Sequence, residues 1–177
     1  MLARTPWLER RFETGLPASA FPTVLERLRG TPARVEDRVR DVAPSALAAR
    51  SGQSWSIQEN VGHLLTVEEL WAARLDDFEA GRPELRAARF ESWRVGEAGF
   101  NERPMADACA RFRRARETLV QRLEELEDSV MNVVARHPRL GQPMRVVDLM
   151  LFIAEHDDHH MARITELVRA AEHRIRT

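Results

Sequence analysis

The stretch Ile153-Ala154-Glu155-His156-Asp157-Asp158-His159-His160-Met161 decides how this chain is read. It lies within a segment, about Arg145 to Ala171, whose apolar residues return at helical intervals. Val146, Leu149, Ile153, Ile164 and Leu167 form one stripe, and His156 and His160 occupy slots in it. Residues four apart on a helix share a face, so two imidazoles there can grip a single metal ion. Burying an imidazole without a partner is costly. The stripe predicts an inward helix face with something for its histidines to bind.

A third histidine lies upstream, in Val61-Gly62-His63-Leu64-Leu65. Its segment has a marked start, because Ser56-Ile57-Gln58-Glu59 has the form of a capping box. The helix is expected to run to about Ala80 and to stop at Gly81, with Pro83 beyond. Ile57, Val61, Leu64, Leu65, Trp71, Leu75 and Phe78 cover a broad apolar arc. At ~100° per residue, His63 falls at the edge of that arc beside Val67 and Leu70.

Two further helices complete the pattern. One runs from about Ser19 to Val42; Gly30 interrupts it, Thr31 reads as an N-cap and Pro32 as a first helical residue, giving a bent arm. The other starts near Pro104 and reaches about Leu126, with Met105, Phe112, Leu119 and Leu126 on one side and a charged face that reads as solvated. Residues 82–103 and 128–144 are long connections, and residues 1–18 form an irregular N-terminal segment. The expected fold is all-α: residues 19–177 make a single domain, an up-and-down four-helix bundle with long connections. Bundles of this kind build metal sites from facing side chains.

A chain of 177 residues can bury a real core. Its 27 basic and 28 acidic residues are interspersed, for a formal charge of −1, which argues against nucleic acid as partner. The single cysteine, Cys109, excludes an internal disulfide framework and reads as packing. No apolar run approaches the ~20 residues that span a bilayer, and no signal-like start follows Met1. No membrane association is expected, and the cytoplasm is the expected location.

His63, His156 and His160 together offer three nitrogen ligands suited to Zn²⁺, Ni²⁺, Co²⁺ or Fe²⁺. With no fourth protein ligand, a position stays open, as in catalytic rather than structural sites. A metal so held acts as a Lewis acid or lowers the pKa of a bound water or thiol. The plainer alternative is a surface pair or satisfied core histidines. His159, turned ~60° from His156, reads as a support for the site, a pocket residue or an exposed one. Asp157 or Asp158 could orient an imidazole, or simply belong to a charged helix face. Glu59 is explained by its cap. His137, in a loop, and His173, near the C-terminus, read as solvated.

The two motifs Trp55-Ser56-Ile57-Gln58-Glu59-Asn60-Val61-Gly62-His63-Leu64 and Ala154-Glu155-His156-Asp157-Asp158-His159-His160-Met161-Ala162-Arg163-Ile164 resemble those of the DinB-like metal-binding superfamily. The resemblance spans about residues 19–171. It implies a four-helix bundle, often a homodimer, with a divalent metal on His63, His156 and His160. Relatives include transferases and isomerases that use a low-molecular-weight thiol. The leading expectation is therefore a metal-dependent enzyme, zinc or nickel, that joins a small-molecule thiol to an electrophilic substrate. Arg38 or another arginine near the first helix could take an anionic thiol's carboxylate. The alternatives are a metal-dependent hydrolase and a non-catalytic metal-binding or stress-response protein. A dimer would draw on apolar residues of the long connection such as Trp93 and Phe100.

Overall fold

The computed structural model describes residues 4–88 and 98–176, the side chains of 175 and 176 excepted. In chain order the elements are α1 (Phe21–Val39), α2 (Pro44–Leu47), α3 (Ile57–Glu79), α4 (Met105–Glu124), α5 (Asp128–Met131), the hairpin β1 (Ala135–Arg136) and β2 (Pro143–Met144), and α6 (Val146–Arg176). Phe90 and Trp93 lie outside the described residues. Phe100 does not offer itself to a second subunit. It is buried against α3, where its ring lies so close to Gly62 that any Cβ there would run into it.

The four long helices form the bundle. α1 packs on α4 and α6, and α3 packs on the same two. Side-chain pairs give the directions. Arg29–Glu124 and Arg113–Glu36 make α1 and α4 antiparallel. Arg116–Glu68 and Arg122–Asp76 make α3 and α4 parallel. Asn60–His160 and His63–His156 set α3 antiparallel to α6. The expected up-and-down bundle thus contains one parallel step, running up, down, down, up. A parallel step requires the chain to travel back along the bundle. The stretch between α3 and α4, about 25 residues, reaches ~80 Å when extended, against ~35 Å for α3 itself.

The expected starts and stops of α3 hold. Ser56 and Glu59 make both bonds of the capping box, and Gly81 takes a left-handed conformation (φ 63°) just past the helix end. α1 corrects an expectation, since it runs unbroken through Gly30, Thr31 and Pro32. Thr31 does not cap; its hydroxyl donates to the Arg27 carbonyl at 3.1 Å. Pro32 cannot donate to the carbonyl of Leu28, and Arg116 Nη1 from α4 donates to that carbonyl instead, at 3.2 Å. A tertiary contact therefore satisfies the group that proline leaves open.

Two apolar clusters fill the bundle. One gathers Leu28, Trp71, Leu75, Phe78, Leu119 and Ile153, the other Val35, Val61, Leu64, Phe112 and Ile164. Between them each long helix contributes buried polar groups: Thr31, His63 and Glu68, Arg116, and His156, Asp157 and His160. Arg116 is 1% exposed and is bound by Glu68 (2.6 Å) and Asp157 (2.5 Å). It lies on the apolar side of α4, one turn from Phe112 and from Leu119; the two carboxylates and the Leu28 carbonyl make its burial tolerable. Burial opposes the charge on Arg116, but Asp157 and Glu68 more than offset this and raise its pKa.

The N-terminal segment is tied along α6. The amides of Gly15 and Leu16 donate to Asp148 Oδ1 at 2.7 and 2.9 Å, and Arg10 binds Glu155. No helix among the described residues is long and apolar enough to cross a membrane.

Candidate metal centre

Antiparallel packing of α3 on α6 brings His63 opposite His156 and His160. One ligand atom from each lies within 4.8 Å of the others, and all three residues are buried. Ring centroids are separated by 5.2 Å (His63–His156), 4.8 Å (His63–His160) and 4.6 Å (His156–His160). The three imidazoles singled out in the sequence converge in one place.

Their protonation follows from their surroundings. Burial, reinforced by the neighbouring imidazoles, pushes His156 and His160 well below the ordinary histidine value. They are neutral, with lone pairs available. Asn60 selects the tautomer of His160. Its Nδ2 donates to the Ser56 carbonyl at 2.7 Å, so its Oδ1 faces His160 Nδ1 at 3.0 Å and must accept the proton carried there. His160 Nε2 is left with its lone pair. The Nε2 atoms of His63 and His156 are 3.2 Å apart. Zn–N bonds of ~2.0–2.1 Å in a tetrahedron place two nitrogens about 3.3 Å apart. The residues fit a divalent ion.

Three tryptophans box the triad: Trp55 centred 4.9 Å from His63, Trp7 5.0 Å and Trp71 5.6 Å from His156. Trp7 comes from the segment read as irregular. The triad opens on a cavity of about 780 Å³, also lined by Trp7, Trp71, Phe152 and His159. A volume of this size suits a small organic molecule.

Other sequence readings divide. His159 lines the cavity, with Arg4 Nη1 at 2.6 Å from its Nε2. Neither Asp157 nor Asp158 orients an imidazole. Asp157 binds Arg116, while Asp158 binds Arg27 and Arg34. That role falls to Asn60, inside the first quoted family motif but masked there by its neighbouring cap. Glu59 is the cap residue expected, and also binds Arg50. Cys109 is buried, and burial pushes its thiol up to about 11. His173 is exposed. His137 overturns its reading: it is 1% exposed, with Arg74 Nη1 at 3.1 Å from its Nε2. Arg38 is exposed and does not line the cavity; Arg4, Arg74, Arg139 and Arg163 do.

The model of the DinB superfamily matches residues 9–164. The chain belongs to the DinB superfamily. No curated protein matches its sequence. Among solved structures it is similar to YfiT from Bacillus subtilis, with a TM-score of 0.74 and 18% identity over 92% of this chain and 93% of that one. YfiT is described as a probable metal-dependent hydrolase with an unusual four-helix bundle topology. At that identity the likeness establishes the shared fold.

Proposed function

We propose that His63, His156 and His160 hold a divalent ion, zinc or nickel, and that this DinB-superfamily member is a metal-dependent enzyme joining a low-molecular-weight thiol to a small electrophile. The observation that carries the reading is the convergence of three buried imidazoles on one side of a substrate-sized cavity. A site that only stored metal would not need that opening. An ion held there supplies a Lewis-acid centre that lowers the pKa of a thiol or water brought against it.

The chain's own residues do the rest. Asn60 keeps the His160 Nε2 lone pair turned away from its own hydrogen bond. Trp7, Trp71 and Phe152 give the electrophile an apolar bed. A thiol suits this cavity better than water does. The only carboxylate among its described lining residues is the exposed Glu9. Water attack ordinarily calls for a positioned general base. The imidazoles of His159 and His137 also line the cavity but face the guanidinium groups of Arg4 and Arg74. A thiol with pKa ~8.5, by contrast, is already close to ionisation.

Hydrolysis is the second reading, supported by the description of YfiT. The test compares metal-loaded and EDTA-stripped protein with a chromogenic electrophile and mycothiol, bacillithiol, glutathione or coenzyme A in turn. An ester, amide and phosphoester panel runs alongside. Faster conjugation by loaded protein with at least one thiol is expected. Equal rates with and without metal for every thiol remove the transferase, and metal-dependent turnover of the panel alone establishes the hydrolase.

A further inference from the structure

Four arginines line the cavity, and they differ in one respect. Arg4 and Arg163 share the carboxylate of Glu166, at 3.5 and 3.0 Å. Arg74 and Arg139 have no carboxylate partner among the described residues.

Arg74 is the telling case, because it is only 3% exposed. A buried guanidinium is ordinarily paired. Its Nε donates to the Arg86 carbonyl at 3.1 Å and its Nη1 faces His137 Nε2 at 3.1 Å. Asp77, one turn along α3, acts on Arg74 through its charge, but its carboxylate is bonded by Arg86 (2.8 Å) and Arg82 (3.4 Å). His137 cannot balance the charge. Burial, with Arg74 and Arg139 beside it, pushes that imidazole down to about 3, so it is neutral. Burial also brings Arg74 down to about 10, which leaves it charged at neutral pH.

Arg139 adds a second cation at the same end of the cavity. Its guanidinium lies 5.6 Å from the Trp7 ring centroid and 5.7 Å from that of Phe152, and among the described residues its Nη1 donates only to the Leu8 carbonyl, at 3.4 Å. A guanidinium has five N–H donors in a fork that matches a carboxylate. Among the described residues the Arg86 carbonyl takes one of the five on Arg74 and His137 at most one more, so at least three are open to a ligand.

We propose that Arg74 and Arg139 form a carboxylate-binding subsite that anchors the acidic end of the substrate. The Arg74 guanidinium lies 5.4 Å from the Trp71 ring centroid, which is itself 5.6 Å from that of His156, so the subsite is within about 11 Å of the triad. Trp71 and Phe152 line the wall between. The ligand class is an elongated organic acid: a carboxylate, an apolar or aromatic middle, and a reacting group at the triad. Which end reacts rests on the metal reading; the anion site does not.

The test uses the full chain in EDTA, so that it stands whether or not the metal reading does. Quenching of tryptophan fluorescence and calorimetry measure binding of the phenylalkanoates from phenylacetate to 5-phenylpentanoate, and of their amides. At least one acid should bind at least tenfold more tightly than its amide. Arg74→Gln and Arg139→Gln should each remove most of that preference, and Arg38→Gln should not. Arg139→Gln carries the test if Arg74→Gln fails to fold. Absence of binding by every acid, equal affinity of acid and amide, or an unchanged preference in the folded variants overturns the subsite. Displacement of the probe by inorganic phosphate at lower concentration than acetate overturns the carboxylate assignment.

Discussion

Two buried polar clusters meet on one turn of α6, where His156 and Asp157 are chain neighbours facing different ways. Asp157 joins Arg116 and Glu68 in an ion cluster where one guanidinium answers two carboxylates, burial and Asp157 raising the pKa of Glu68, with the Leu28 carbonyl taking a further Arg116 N–H. His156 joins His63 and His160, and its Nδ1 is buried without a hydrogen-bond partner among the described residues. The first cluster closes on itself and gives the bundle its middle layer. The second brings three imidazole rings together beside a cavity. Burial alone does not mark a functional group; what it leaves unsatisfied, and toward what space, does.

The largest expected effect tests the structural side. Arg116→Ala strands two buried carboxylates and should cost about 3–5 kcal/mol of stability, read by chemical denaturation. Replacing Arg116, Glu68 and Asp157 together by apolar residues should recover much of the loss. If Arg116→Ala is no less stable than the parent, the ion cluster is not what holds the layer. A smaller effect tests the other cluster. Asn60→Ala frees the His160 tautomer and should weaken zinc or nickel binding by about 10–100-fold, measured by competition with a chelator. Unchanged affinity there would show that Asn60 only anchors the start of α3. Smallest of all, His159→Ala should leave metal affinity within the scatter of the measurement, because His159 stands off the triad against Arg4. A loss as large as that of a triad member would redraw the site.

Much of this was legible in the residues. The stripes of α3, α4 and α6, the Ser56–Glu59 box and the spacing of His156 and His160 are local signals, and local signals survive folding. What was not legible depends on contacts between distant segments. Gly30, Thr31 and Pro32 look like a break because the acceptor's new partner, Arg116, is 88 positions from Leu28. Arg116 falls among the apolar positions of α4, and nothing local accounts for a charge there, because its two carboxylates come from other helices. His137 sits in a loop by sequence, yet Arg74 and Phe152 enclose it. Trp7 lies in a stretch without periodicity and still packs on His156. Asn60 was hidden because a helix-start motif already accounted for its neighbours.

The most direct test is the metal itself: elemental analysis and zinc and nickel titration of the untagged protein, with His63→Ala and His173→Ala alongside. The wild type should take up about one divalent ion per chain, His173→Ala should match it, and folded His63→Ala should lose most of its metal. A wild-type chain that takes up neither ion, or a folded His63→Ala variant that holds it equally well, would contradict a shared coordination site.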